Sequence, residues 1–226
     1  MQSASLLHLL QLASPSLPVG AYSYSQGLET AMARGFVHDE PSARAWIVDM
    51  LNEIVARFEA PLTWRLIQAF EAHDADAVAD WTAMFLASRD SAEFRAETVQ
   101  MGYSLAKLIS ELAPDDKLLL TILQQQPEIP FPTALAAATV ALQIPAESAL
   151  PGMLFSWAEN QVLACVKSVP LGQVSGQRLL LSLTETIEAA AIAARTLADD
   201  ELSNWSPGLS LLSMQHEVQY SRLYRS

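Results

Sequence analysis

The strongest constraint on the fold is the spacing of apolar residues between positions 41 and 58. They recur every three or four positions, which places them on one face of a helix. Elsewhere Val, Ile and Thr are scattered singly rather than in the alternating runs typical of strands, and the chain has only 8 Gly. The sequence therefore predicts an all-α fold. The residues on this helical face are Trp46, Ile47, Met50, Leu51, Ile54, Val55 and Phe58.

The size and composition of the chain favour one helical domain. Its 226 residues are 51% hydrophobic, enough to build a core without metals or disulfides. The proline-rich stretch 127–132 is the best candidate for a linker, but it is short and has helical patterns on both sides. We therefore expect a single bundle of about ten helices. The predicted helices cover residues 3–13, 23–34, 41–73 with a kink or restart at Pro61, a segment capped by Asp74, 91–113, 115–124, 133–143, 146–168 and 173–198.

The pattern weakens after Ala198. An acidic hinge at 199–201 and a turn-rich stretch at 203–208 precede a weakly amphipathic end. The sequence thus predicts a helical domain over 1–198 and a flexible C-terminal tail over 199–226, which we expect to be unfolded in isolation.

Composition also excludes several classes of function. The net charge of −12 and the absence of a Lys/Arg cluster argue against nucleic-acid binding. Prolines interrupt the charge-free spans 1–28 and 129–146, so no membrane crossing is expected. A single cysteine, Cys165, and no leader-like N-terminus favour a reducing cytoplasm.

No reaction centre is apparent. The sequence predicts no local metal pocket, because no histidine has another His or a Cys three or four residues away. The four histidines are His8, His38, His73 and His216. Glu93 and Glu97 share a helix face but lack the Glu-x-x-His spacing of a di-iron site. No glycine-rich phosphate loop occurs. We expect a non-enzymatic chain without a cofactor.

Two segments instead have the composition of docking surfaces. Residues 14–29 combine prolines and glycines with Tyr22 and Tyr24, and the C-terminal residues are rich in Tyr and Arg. The alternative is that the tyrosines fill the core and the arginines form an ordinary basic terminus. Lys167, just before a Pro-Gly turn, is either a solubilising charge or held outward for a partner.

Three stretches resemble the UreF family of urease accessory proteins: LLQLASPSLPVGAYSYSQGLE at 9–29, VKSVPLGQ at 166–173 and HEVQYSRLYRS at 216–226. The resemblance implies an all-α, dimeric, non-enzymatic protein that joins the accessory protein UreD (or UreH) and the GTPase UreG in delivering nickel to apo-urease. Nickel would be handled by the complex rather than bound in a local site of this chain. GTP hydrolysis would belong to the partner.

The resemblance also suggests three groups of partner-binding residues. The first is an N-terminal docking signature, the second a turn that faces the GTPase, and the third a tail that contacts UreD. They comprise Pro18, Gly20, Tyr22, Tyr24, Gly27 and Glu29; Lys167, Pro170 and Gly172; and His216, Glu217, Tyr220, Ser221, Arg222, Leu223, Tyr224, Arg225 and Ser226.

Two details of the tail are left open by the resemblance. The family often ends in RLFRS, so Tyr224 adds a hydroxyl that needs a hydrogen-bond partner if it is buried. His216 and Glu217 either handle nickel or fix the tail. We favour the second interpretation, because one His and one carboxylate fall short of a full coordination set.

Two other hypotheses compete with the scaffold. One is an enzyme or small-ligand carrier whose pocket is built from distant residues such as Tyr22, Glu29 and His216. The other is an acidic protein that stores nickel itself, which requires tight stoichiometric nickel binding by the monomer.

Overall fold

The computed structural model describes residues 3–226, and over this range all regular structure is helical. This confirms the predicted all-α single domain. The helices are α1 (Ser3–Leu12), α2 (Leu28–Ala33), α3 (Glu40–Met50), α4 (Ala60–Glu71), α5 (Ala75–Ala87), α6 (Ala92–Leu112), α7 (Lys117–Gln124), α8 (Phe131–Ala141), α9 (Ala146–Ser168), α10 (Gln173–Leu181), α11 (Thr184–Thr196) and α12 (Pro207–His216).

Short polar side chains fix the starts of several helices. Asp39 and Ser42 form a reciprocal capping box at α3. The side chain of Asp74 accepts from the Ala77 amide, and that of Ser91 accepts from the Phe94 amide, as the sequence predicts for α5 and α6. These contacts satisfy amides that have no partner within their own helix.

Helices α3 and α4 are joined through a π-helical segment, Leu51–Glu59, so the chain runs as one rod from Glu40 to Glu71. Pro61 lies in the first turn of α4 and lacks the amide hydrogen that would bond to the preceding turn. The carbonyl of Arg57, four residues earlier, instead accepts from the Ser203 amide at 3.1 Å. The C-terminal segment thus supplies a hydrogen bond that the helix cannot make.

Two predicted helices differ from the structure. The helix predicted from Ser23 begins only at Leu28, because the chain first makes a 3-10 turn at Ala21–Ser23, so Tyr24 is not helical. The helix predicted over 173–198 is broken between α10 and α11. The Ser182 hydroxyl there donates to the Leu179 carbonyl, and Leu183 is fully buried.

The core is organised around α4, α8 and α9. Helix α8 is buried along most of its length and packs between α4 and α6. Gly102 lets α6 approach the backbone of Ile129 so closely that a Cβ atom would lie 2.0 Å from the Ile129 carbonyl oxygen. The proline-rich stretch 127–132 is therefore part of the packed domain.

The tail does not extend away from the domain. After α11 it crosses the body, forms α12 and packs against α2 and α6. Asn204 donates to the Ser88 carbonyl at 2.7 Å, and the Ser213 and Ser91 hydroxyls are bonded at 2.7 Å in a buried position. The expectation of a flexible tail is corrected here, because polar contacts with the body recur along its length.

The longest helices described, α6 and α9, carry charged residues along their length. No described helix combines the length and the apolar character that crossing a bilayer requires.

Candidate partner-binding site

The signature segment is a bent loop held by amide side chains of α9. Gly20 and Gly27 both have φ of +81°, a left-handed conformation that glycine adopts without strain. Between them, the side chain of Asn160 donates to the Ala21 and Tyr24 carbonyls at 3.2 and 3.1 Å. Helix α9 thus fixes the path of the loop.

Gln26 is the most constrained residue of this loop. Its φ of 56° is left-handed, which is uncommon for a residue with a side chain. Its amide oxygen accepts from the indole of Trp157 at 2.7 Å, and its amide nitrogen donates to Glu97 at 2.5 Å. Gln26 therefore links the signature to α6 and α9.

The tail lies against the signature through main-chain hydrogen bonds. The Arg225 amide donates to the Ser23 carbonyl at 2.7 Å, and the Ser25 amide donates to the Ser226 carbonyl at 2.6 Å. The Ser25 hydroxyl bonds to the same carbonyl at 2.7 Å. Two segments about 200 residues apart thus form one unit, at a sequence distance that a linear pattern does not reveal.

A buried histidine forms the first anchor of the tail. His216 has no exposed surface; its Nδ1 lies 2.8 Å from Glu93 and its Nε2 lies 2.9 Å from Glu29. Ionised carboxylates only accept hydrogen bonds, so both contacts are satisfied when both ring nitrogens donate. His216 therefore fixes the tail, in agreement with the favoured interpretation.

Main-chain amides complete this charged anchor. Glu29 also accepts from the amides of Leu223 at 2.7 Å and Tyr224 at 3.1 Å, while Arg222 donates to Glu93 at 2.7 Å. Each carboxylate thus faces a cation or several donors, the arrangement that makes buried charge tolerable. We call Glu29, Glu93, His216 and Arg222 the charged anchor.

Glu97, one turn after Glu93, forms a second anchor of different character. It accepts from the Ser226 hydroxyl at 2.7 Å and from Gln26, both neutral donors. Burial raises the pKa of Glu97 to about 7; the hydrogen bonds from Gln26 and Ser226 oppose the rise, and the charge of Glu59 adds to it. We call Glu97, Gln26 and Ser226 the neutral anchor.

A cavity of about 140 Å³ adjoins the neutral anchor. Glu97, Gln26 and Trp157 line it, together with the ion pair of Arg89 and Glu59, whose N–O distance is 2.8 Å. The guanidinium of Arg89 also stacks on a phenyl ring, 4.3 Å from its centroid. Tail residues 204–210 contribute to the wall, so the cavity and the tail share a boundary.

The remaining signature residues divide between surface and interior. Pro18 and Gly20 are exposed, whereas Tyr24 is buried and Gly27 lies against Leu209 of α12. Tyr22 reaches a different partner, with its hydroxyl 3.5 Å from Glu159, and burial raises its pKa to about 12. The alternative pocket of Tyr22, Glu29 and His216 is therefore not assembled, because Tyr22 bonds elsewhere.

The predicted GTPase-facing turn adjoins the tail. Lys167, Pro170 and Gly172 are exposed, and the Lys167 ammonium lies 5.8 Å above the ring of Tyr224. Tyr224 is buried. Its hydroxyl makes no hydrogen bond of acceptable geometry, although Ser168 is close enough to lower its pKa against the larger rise caused by burial.

The outer face of the tail is open. Tyr220 and Leu223 are 105% and 75% exposed, whereas Tyr224 and Ser226 point inward and are buried. The other predicted tail residues that are exposed are Glu217, Ser221, Arg222 and Arg225.

Sequence reasoning missed the partners of the tail. In the sequence, Glu93 and Glu97 suggest only an incomplete di-iron site, and their spacing of four residues is the available signal that both face one docked element. Residues 3–226 contain no group of three or more His, Cys, Asp or Glu that could hold a metal ion. Glu29 and Glu93 bond to different ring nitrogens of His216, so the three do not converge on one point.

A helical body with buried polar anchors and an outward row of aromatic, leucine and arginine side chains is typical of a protein that binds other proteins. The UreF family model matches residues 37–184. The chain is 70% identical over 226 residues, 100% of both chains, to the urease accessory protein UreF of Janthinobacterium sp. (strain Marseille). It is 65% identical over 222 residues, 98% of both chains, to that of Nitrosospira multiformis. The chain belongs to the UreF family of urease accessory proteins, which are not enzymes.

The full-length relatives extend the comparison to both ends of the chain. The family model leaves out the signature and the tail, but the two relatives align over at least 98% of this chain. The resemblance noted from the sequence is thereby confirmed at the level of the family.

Proposed function

We propose that the chain is a cytoplasmic scaffold and chaperone that joins UreD (or UreH) and the GTPase UreG for the insertion of nickel into apo-urease. Nickel is cargo of the complex and occupies no local site of this chain. The single observation that carries this proposal is the tail, which is seated on the signature and presents an exposed face of interface-type residues.

UreD is the proposed partner of the tail face. Val218, Tyr220 and Leu223 are 84%, 105% and 75% exposed, and Arg222 and Arg225 lie among them. Large apolar side chains that protrude together are characteristic of binding surfaces, and Tyr and Arg are the residues that most often dominate binding energy. Because the main chain below them is already held, little ordering is needed on binding.

UreG is the proposed partner of the turn at Lys167, Pro170 and Gly172. The contact of Lys167 with Tyr224 makes this turn continuous with the tail. Two partners bound to adjoining surfaces would lie next to each other, which is the arrangement that a scaffold requires.

Homodimerisation is proposed through α1 and α9. Leu9 of α1 packs on Gly152 of α9. On the outside of this contact, Leu7 and Leu10 are 64% and 57% exposed, and Phe155, one turn further along α9, is 41% exposed. A second copy covering this strip would remove apolar surface from water. Light scattering measures the mass of the purified chain and tests this proposal. Wild type should have the mass of a dimer and Leu7→Glu that of a monomer. A wild-type chain that is already monomeric, with the same mass as Leu7→Glu, would contradict it.

The test of the scaffold uses point variants, because deletion after Gly208 would remove the buried His216 and leave Glu29 and Glu93 unpaired. Co-expression with UreD and UreG, followed by measurement of complex mass, compares wild type with Tyr220→Ala/Leu223→Ala. We expect at least about tenfold weaker capture of UreD.

The matched control is Tyr103→Ala, an exposed aromatic of α6. We expect this variant to bind UreD as wild type does. In the same assay Lys167→Ala should lose UreG and keep UreD. Undiminished capture of UreD by the double variant would refute the proposal.

A further inference from the structure

The two anchors of the tail differ in how they compensate buried charge. In the charged anchor, Glu93 meets His216 and Arg222. Glu97, one turn later on the same helix, meets the hydroxyl of Ser226 and the amide of Gln26. Among the described residues, Glu97 accepts no hydrogen bond from a cation. The seated tail therefore covers a carboxyl group that has no direct counter-charge.

We infer that seating of the tail on the signature is linked to proton binding at Glu97, so that the seated tail is favoured when this carboxyl group is neutral. The inference rests on the proposed function in one respect: the seated tail is the form that presents the face for UreD. It assigns a regulatory role to a residue outside the signature and the tail.

The linkage follows from the burial of Glu97. With the tail seated, its pKa is about 7, compared with 4.5 for the ordinary solvated group. When Ser226 leaves, a hydrogen bond that lowers the pKa is lost, but entering water removes the larger effect of burial, so the pKa falls toward 4.5. The seated form therefore binds more protons between these two values. The seating equilibrium constant should fall by about tenfold per pH unit from about pH 4.5 to about pH 7, up to roughly 300-fold in total, and stay level above that.

The other charges around Glu97 do not remove this effect. Glu59, on the π-helical segment, raises the pKa of Glu97, and Arg89, before α6, lowers it by a smaller amount. Arg89 is held by its ion pair with Glu59 and by stacking on Phe85, so its charge is already compensated.

Further charges lie on the tail, the signature and the neighbouring helices. Arg225 lies on the tail and Tyr24 on the signature. Burial raises the pKa of Tyr24, the hydrogen bond from Arg225 lowers it, and the charge of Glu97 raises it. Asp90 bonds to Ser210, and Glu159 of α9 bonds to Tyr22. The charged anchor lies one turn away and also holds the tail, through His216 and Arg222. A variant at Glu97 is therefore needed to isolate the contribution of this residue.

The cavity gives the carboxyl group a way to exchange its proton. Glu97 and Gln26 both line this space of about 140 Å³, and tail residues 204–210 form part of its wall. Although most of its lining is apolar, the side chains of Glu97, Gln26 and Arg89 give this space a polar edge where water can bind. Release of the tail would enlarge it and let solvent hydrate the ionised carboxylate.

Amide hydrogen exchange of the purified full-length chain tests the inference. Peptides covering 21–29 and 217–226 report the seating bonds made by the amides of Ser25, Leu223, Tyr224 and Arg225. After correction for the intrinsic pH dependence of exchange, protection of these peptides in wild type should fall by about tenfold per pH unit between about pH 5 and pH 7. In Glu97→Gln, the change in protection between about pH 5 and pH 7 should be at least about tenfold smaller than the change in wild type.

Glu159→Gln is the matched control. Glu159 is a partly buried carboxyl group whose pKa is also raised by burial, but it bonds to Tyr22 rather than to the tail. This variant should keep the wild-type slope. An equal slope in wild type and Glu97→Gln overturns the inference, as does a flat wild-type profile.

A second measurement keeps the inference testable if Glu97→Gln does not fold. Carbon NMR of wild-type side-chain carboxyls should find the Glu97 resonance titrating near pH 7; titration near pH 4.5 overturns the inference. Exchange of the isolated chain does not involve UreD. Failure of the UreD capture assay would therefore contradict the proposed function while leaving this result intact.

Discussion

The charged anchor and the neutral anchor hold the same tail from one face of α6, yet removing a charge should have opposite effects on them. Glu29 and Glu93 are hydrogen-bonded to an imidazole, a guanidinium and main-chain amides, so each carboxyl group has a charged donor or several donors beside it. Glu97 has two neutral donors and a nearby carboxylate. A buried carboxyl group can therefore strengthen or weaken an internal contact, according to whether its charge has a partner.

The largest effect is expected from His216→Ala, which breaks the charged anchor. Glu29 and Glu93 would stay buried without the imidazole between them, at a cost of about 4 kcal/mol in the free energy of unfolding. Denaturant titration measures this loss. Gln215→Ala, at an exposed position of the same helix, is the control and should change stability by less than about 0.5 kcal/mol. Equal stability of the two variants would show that the charged anchor is not needed.

Glu97→Gln should act in the opposite direction at pH 8. The pKa of Glu97 is raised above its unfolded value, so its stabilising contribution is complete below about pH 4.5 and is lost as pH rises through about 7. The variant keeps a neutral group at all pH values and should exceed wild type by about 3 kcal/mol at pH 8, with little difference at pH 4.5. Unfolding titrations at the two pH values measure the gap. The quantity of interest is the free energy of unfolding of Glu97→Gln minus that of wild type. If this difference were smaller at pH 8 than at pH 4.5, the assignment would be contradicted.

A pair of glycine variants separates the seated part of the signature from its free part. Gly20 and Gly27 have the same φ of +81°, but an added Cβ meets open space at Gly20 and lies 2.8 Å from Leu209 Cδ1 at Gly27. Gly20→Ala should therefore cost about 1 kcal/mol from backbone strain alone, and Gly27→Ala about 2 kcal/mol, because the Leu209 side chain of α12 must move as well. Thermal unfolding compares them. Equal losses would mean that α12 does not press on the signature.

The smallest effect is expected at Tyr224. Its buried hydroxyl lacks a well-formed hydrogen bond, and removing such a group costs nothing or stabilises the fold. Tyr224→Phe should raise the free energy of unfolding by about 1 kcal/mol while keeping the ring below Lys167. A loss of stability in denaturant titration would mean that the hydroxyl has a partner, with Ser168 as the candidate.

Local signals in the sequence were enough for much of the fold. Asp74 and Ser91 start their helices as expected, because a capping bond joins residues three apart. The predicted start of this helix at Ser23 was wrong, because the contacts that fix the chain before α2 are not local. The side chain of Gln26, three residues after Ser23, is bound by Trp157 and Glu97, groups that are distant in the sequence.

The seating of the tail could not be predicted from the sequence. Glu29 and His216 are 187 residues apart, and each alone reads as an ordinary polar residue. The interface-type composition of both segments was visible, but composition does not reveal that one binds the other within a single chain. The structure adds that the inner face of the tail serves the fold, whereas its outer face is open to a partner.

The central claim is that the tail and the signature form one unit, and concerted amide exchange tests it most directly. At pH 6, the amides of Ser25, Leu223 and Tyr224 should be protected together in wild type and should lose protection together in His216→Ala. Loss at Leu223 and Tyr224 with full protection kept at Ser25, or no protection of these amides in wild type, would contradict the claim.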